Sequence, residues 1–278
     1  MYCQGAFFIV RATEKSRIQN AFRKGTKKMK TFGKDPELLT VMVQGATPDR
    51  IRELMTLSIP EGAEAFGMQF EQLRPEYRTK EIYRELFASA GMRPVYATNY
   101  RTGFNEGKPD GQLAAELLEL AECGATLCDM MGDYFDRQPD EMAISPVAIE
   151  KQRELIDRLH QRGVKVLMSS HVFRFTPAER VLEMALEQQR RGADICKIVT
   201  GASDVAEELE NLRIIPLLKE ALEIPFLFLS VGQCGLLRRI GGKLGCCMYL
   251  CVHEQDGLSA PAQPLLRDVK LFRDRMIL

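Results

Sequence analysis

The chain carries no excess of either charge. Its 278 residues include 38 basic and 38 acidic side chains, so nothing in the balance favours nucleic acid or an acidic membrane as a partner. No run approaches the roughly 18 consecutive apolar residues of a membrane-spanning helix. The opening MYCQGAFFIVRATEK lacks a basic stretch before its short apolar patch and has no clear cleavage site. A secretory signal is therefore not expected, and a cytoplasmic location is. Eight cysteines, at 3, 123, 128, 196, 234, 246, 247 and 251, are then expected as reduced thiols rather than a disulfide framework. The paired C-x2-C spacing of a zinc site is missing. GCCMYLCVH (245–253) places three cysteines near His253, but Cys247 to Cys251 lie in an apolar run that reads as a strand. Buried core thiols are the expectation there, and no metal is assigned. Internal repeats and low-complexity segments are also lacking.

What is present is an alternation of short apolar strands and amphipathic helices. Strands are expected at 38–43, 65–70, 94–100, 126–131, 164–171, 194–199, 225–230 and 246–252, each followed by a helix. Two helices open on Thr-Pro, at 47–48 and 176–177, and three close on glycine, at 124, 163 and 192. These are the start and stop signals of helices. Eight such units imply a parallel sheet and are the number that closes a (β/α)8 barrel. An open doubly wound sheet would usually carry a Gly-rich phosphate fingerprint after its first strand. Here that strand runs into QGATPDR. The expected division is an N-terminal extension over 1–35 and a barrel over 36–278. The extension is basic at RKGTKKMK (23–30), contains the patch AFFIV, and is read as a solvated cap or arm.

In a barrel the active site lies at the C-terminal strand ends. Lys197 sits inside the sixth strand, in DICKIV, and His171 ends the fifth, in VLMSSH. A lysine in a barrel interior loses hydration, which favours its neutral amine, and a neutral amine is what imine formation with a ketone requires. A lysine that reaches solvent or pairs with Asp129 fits the same position. A histidine beside an imine can serve as general acid and base. A single histidine bonded to a loop carbonyl is the commoner case. Adjacent strands bring the two residues together, and the combination is more specific than either alone.

Four segments, VLMSSHVFRFTP (166–177), GADICKIV (192–199), SVGQCGLLRRIGG (230–242) and LSAPAQ (258–263), resemble type I 3-dehydroquinate dehydratases in order and spacing. The first two strands, in PELLTVMVQGATPD and GAEAFGMQFEQL, fit more weakly. The resemblance implies a (β/α)8 barrel without a cofactor, usually a homodimer, acting on a small carboxylated ketone. It implies Lys197 as the imine-forming lysine and His171 as the group that takes the C2 proton of 3-dehydroquinate and helps expel the C1 hydroxyl. It further implies Arg239 as the holder of the substrate carboxylate, Ser259 and Gln263 in a loop closing over the substrate, and Arg101 and Glu106 after the third strand. Gln69 and Glu71 stand where the family has a Glu-x-Arg pair, and Val172 where it usually has Asp. These departures leave the imine machinery in place and bear on the substrate. The expected activity is elimination of water from 3-dehydroquinate. The rivals are a relative acting on another keto acid by the same chemistry, and a non-catalytic ligand-binding relative.

Overall fold

The structure is a computed structural model that describes residues 29–277. Eight strands, β1 (Leu38–Val43), β2 (Ala65–Gln69), β3 (Val95–Thr98), β4 (Leu127–Met131), β5 (Lys165–His171), β6 (Ile195–Ala202), β7 (Phe226–Gly232) and β8 (Met248–Cys251), alternate with eight α-helices. The helices are α1 (Pro48–Glu61), α2 (Lys80–Ser89), α3 (Asp110–Cys123), α4 (Pro146–His160), α5 (Ala178–Arg191), α6 (Val205–Ala221), α7 (Gly235–Leu244) and α8 (Leu266–Arg275). The strand order is β7-β6-β5-β4-β3-β2-β1-β8, with parallel pairing throughout. Across the remaining seam the Cys247 amide donates to the Phe226 carbonyl at 2.9 Å. The sheet is thus a (β/α)8 barrel, as the alternation predicts.

Local chemistry sets the boundaries. Thr47 caps α1 by accepting from the Arg50 amide, with Pro48 at the first turn, and Gly192 closes α5 at φ 103°, a left-handed geometry that favours glycine. The second Thr-Pro behaves differently. The Thr176 hydroxyl turns back to the Arg174 carbonyl, Pro177 becomes the cap residue, and α5 begins at Ala178. Strand β6 runs three residues past its expected end, because Thr200, Gly201 and Ala202 still pair with Ser230, Val231 and Gly232.

Alternate strand residues fill the barrel interior. Gly67 on β2 is required there: a Cβ would lie 2.2 Å from the Met42 sulfur and 3.0 Å from the Tyr96 ring. Its absence lets Tyr96 lie across the interior. At the N-terminal end Phe32 is buried edge-on to Tyr96, with ring centroids 6.5 Å apart, and its carbonyl accepts from Lys165 Nζ at 2.8 Å. Burying such a ring stabilises the fold by about 1.5–3 kcal/mol. The end of the expected extension is therefore a plug. The AFFIV patch and most of the basic run lie outside the described residues.

Candidate active site

A cavity of about 320 Å³ opens at the C-terminal mouth. Met42, Gln69, Thr98, His171, Lys197 and Leu250 line it from six different strands, joined by loop residues including Tyr100, Arg101, Glu141 and Phe173. Strand alternation delivers Lys197 into it. Residue 197 pairs with Ser169, and His171 pairs with Val199, one inward position higher.

Lys197 is buried. Its Nζ donates to the Tyr100 hydroxyl at 2.7 Å, the Tyr96 hydroxyl at 3.1 Å and Asp129 Oδ2 at 3.1 Å. Asp129 is also buried. Its Oδ1 accepts from the Ser169 hydroxyl at 2.5 Å, and its Oδ2 accepts from both tyrosines. Burial pushes the Asp129 carboxyl up, but Lys197, His171 and the hydroxyl donors outweigh it and hold the group below its usual range. Asp129 is therefore a carboxylate. Burial, and then the Asp129 charge, raise both tyrosines well above the usual phenol range, so both stay protonated. The lysine in the strand thus has a partner, which a buried cation requires. From outside the sheet, the Gln188 side chain on α5 grips the Lys197 backbone at both its amide and its carbonyl.

His171 stands edge-on to Tyr100, with ring centroids 5.1 Å apart. Its Nδ1 lies 2.9 Å from Glu141 Oε2, and its amide donates to the same oxygen at 2.6 Å. A carboxylate on Nδ1 fixes the ring and presents Nε2 to the cavity. Glu141 comes from the long loop between β4 and α4. Buried Arg191 braces that loop, donating to the carbonyls of Gly132 and Ala143 and to Gln152. Glu141 (φ 46°) and Phe173 (φ 55°) both adopt left-handed backbone conformations. Each costs on the order of 1–3 kcal/mol, and such strain tends to collect at functional sites.

The other residues named from the sequence divide into two groups. Gln69, Arg101 and Gln263 line the cavity. Arg101 is fully engaged there, bidentate to Asp110 at 2.8 Å on each arm and bonded to Asp133 at 2.6 Å. Glu106 is exposed on the third loop, outside the lining, while its neighbour Asn105 is buried. Ser259 bonds Asp256 at 2.8 Å, and Ala260 takes the lining position instead. Glu71 also lies outside the lining. Its carboxyl turns back to the Thr98 hydroxyl at 2.9 and 3.0 Å and to the Tyr100 amide at 3.4 Å. Burial pushes it up to about 7, against the partial offset of those donors and with a small further push from Asp129. Arg239 is half-buried in a neighbouring groove, with Nη1 on the Gly235 carbonyl at 2.8 Å. Arg238 lines the cavity in its place. It is buried, its Nε donates to the Ser230 carbonyl at 2.8 Å, and no carboxylate pairs with it among the described residues. Burial lowers its pKa from the usual guanidinium value.

The cysteines near His253 act as core thiols. Cys246 and Cys251 donate to the carbonyls of Phe228 and Thr40. Burial pushes Cys246 up to about 12, and His253 pairs with Glu61. No group of three potential metal ligands occurs among the described residues, nor does a helix long and apolar enough to cross a membrane.

A family model for type I 3-dehydroquinase matches residues 40–272. The chain belongs to the type I 3-dehydroquinase family. Among its curated relatives in this family, the 3-dehydroquinate dehydratase of Geobacillus thermodenitrificans is 30% identical over 206 residues, covering 72% of this chain and 74% of the relative. That of Syntrophotalea carbinolica is 35% identical over 180 residues, covering 63% and 66%. Among solved structures, the 3-dehydroquinate dehydratase of Geobacillus kaustophilus superposes with a TM-score of 0.73 over 89% of this chain and 96% of that one, at 18% identity. The type I enzyme of Clostridium difficile, solved with covalently modified comenic acid, gives 0.71 over 87% and 93%, at 16% identity. At these identities the superpositions speak to the fold. Within the type I 3-dehydroquinase frame, four members of this site were not assigned from sequence: Glu141, Tyr96, Tyr100 and Arg238. Asp129 was legible only as a partner for Lys197. For Arg238 the available signal was helical spacing, which places it one turn from Cys234 and from Gly242.

Proposed function

We propose that this chain eliminates water from 3-dehydroquinate to give 3-dehydroshikimate, through an imine on Lys197. Family membership and the dehydratase relatives support the reaction. The observation that carries the chemistry is a buried lysine sharing one cavity with a histidine whose Nδ1 is held by a carboxylate. A purely ligand-binding relative has no use for that arrangement.

Lys197 Nζ attacks the C3 ketone, and the iminium that results keeps its positive charge beside Asp129. That charge withdraws electrons from the C2–H bond. His171, oriented by Glu141, takes the C2 proton through Nε2. The enamine then pushes out the C1 hydroxyl, to which the protonated histidine returns the proton, and water leaves. Hydrolysis of the conjugated imine frees Lys197. Arg238, a buried guanidinium on the cavity wall without a carboxylate partner, supplies the charge complement for the substrate carboxylate. Gln69 and Gln263 offer the ring hydroxyls an acceptor and a donor, since Gln69 Oε1 and Gln263 Nε2 are buried without partners among the described residues.

The reading extends to a cytoplasmic homodimer, which the family resemblance supports, and to a catalytic barrel over 36–278 preceded by an extension over 1–35. The test of the chemistry is borohydride reduction in the presence of 3-dehydroquinate, followed by intact mass. The wild-type chain is expected to gain the mass of the reduced adduct and Lys197→Ala to gain none. An adduct on the alanine variant places the nucleophile elsewhere.

A further inference from the structure

Lys197 Nζ is bonded to a carboxylate and two phenols, and this raises a problem that the imine reading does not solve. An amine attacks a ketone only without its extra proton, and Nζ, in an ion pair with Asp129 at 3.1 Å, carries it. The proton must leave Nζ, and a second must later reach the oxygen that departs as water. His171 makes no hydrogen bond to Nζ, whose three side-chain partners are Tyr96, Tyr100 and Asp129. Tyr96 is wholly buried beneath the cavity and is not part of its lining. Tyr100 lines the cavity, sits closest to Nζ at 2.7 Å and donates to Asp129 Oδ2.

We propose that Tyr100 is a further catalytic residue, the proton relay between Lys197 and Asp129 during imine formation. This rests on the imine reading above. A proton passes from the Lys197 ammonium to the Tyr100 oxygen as the Tyr100 proton passes to Asp129, leaving a neutral amine, a neutral phenol and a neutral carboxylic acid. The amine lone pair forms the C–N bond, and the carbonyl π pair moves to oxygen, which takes a proton from the new ammonium to give the carbinolamine. The relay then runs in reverse. Tyr100 donates its proton to the carbinolamine hydroxyl and regains one from Asp129. The C–O bond breaks, water leaves, and the nitrogen lone pair forms the iminium beside the restored carboxylate. The site ends with one positive and one negative charge, as it began.

The protonation states agree with this cycle. Tyr100 is held as a phenol by burial and by Asp129, so it is a donor at rest. Asp129 is ionised at rest, so it has an open site for the proton, and its low basicity returns that proton when the relay reverses.

The experiment is quenched-flow borohydride trapping with 3-dehydroquinate, read by intact mass. Tyr100→Phe is expected to slow formation of the Lys197 adduct about 10²-fold, the low end of what a positioned acid-base group contributes. Replacing Tyr100 by 3-fluorotyrosine changes the acidity of the phenol and almost nothing of its shape, and is expected to alter the same rate even if the phenylalanine variant folds poorly. An adduct formed at the wild-type rate in both variants overturns the relay alone. A wild-type chain that gives no adduct overturns the imine reading and the relay with it.

Discussion

The two walls of the cavity are prepared to different degrees. On the β4–β6 side Lys197, Asp129 and His171 are all bonded before any substrate arrives. On the β8–β1–β2 side polar groups stand unbonded. Of four buried side-chain polar atoms without a partner among the described residues, the two that belong to cavity-lining residues, Gln69 Oε1 and Gln263 Nε2, fall on this side. Each such atom costs about 1–3 kcal/mol until something bonds it. The first wall is built for reaction steps that must not wait for reorganisation. The second holds bonding capacity in reserve for a ligand.

The largest effect should come from breaking the prepared wall. His171→Ala is expected to lower elimination by about 10²–10⁴-fold, followed by dehydroshikimate absorbance, while borohydride trapping on Lys197 persists. Loss of trapping in that variant would show that His171 acts before the imine forms.

Next is the strain behind the second wall. The Glu71 carboxyl is pushed up to about 7 from 4.5. Below pH 4.5 it is protonated both folded and unfolded and contributes no pH dependence. Between 4.5 and 7 the unfolded chain gives up the proton first, so stability falls as pH rises. Above 7 the full penalty applies, on the order of 3 kcal/mol. Glu71→Gln removes it. Melting temperatures of the two proteins should coincide near pH 4, with the variant higher at pH 8; equal values at pH 8 would mean that Glu71 is solvated.

The smallest effect sharpens the contrast. Arg238→Ala should raise KM for 3-dehydroquinate by about ten- to a hundredfold, the scale of a lost charge-assisted hydrogen bond, and Arg239→Ala should leave it nearly unchanged. The opposite ranking in steady-state kinetics would return the carboxylate to Arg239.

The barrel was legible because its signals are local. Thr47-Pro48 and Gly192 mark helix ends by their own backbone preferences, and strand alternation alone puts Lys197 inside. The meeting of Lys197 with His171 followed from neighbouring strands in register. Glu141 was not legible, because it arrives on a loop with no periodicity, held by Arg191 from a helix far along the chain. Tyr96 read as one more strand aromatic; only the glycine opposite, Gly67, makes room for it. The choice between Arg238 and Arg239 turned on helical phase, about 100° per residue, which motif spacing does not resolve. Glu71 showed as a change of charge, but its turn toward Thr98 depends on the 3-10 turn Phe70–Gln72 that ends the strand.

The pairing of Lys197 with Asp129 has one more consequence. An ammonium and an iminium at Nζ are both monocations at nearly the same point, facing the same carboxylate. In the proposed reaction, going from resting ammonium to iminium therefore exchanges one cation for another, with no net charge moved through the barrel. Dipoles arranged around the resting pair, the Ser169 and tyrosine hydroxyls among them, already suit the intermediate. In a medium of low polarisability, where turning dipoles to follow a displaced charge is slow and costly, the proposed imine would form at a place where almost nothing has to turn.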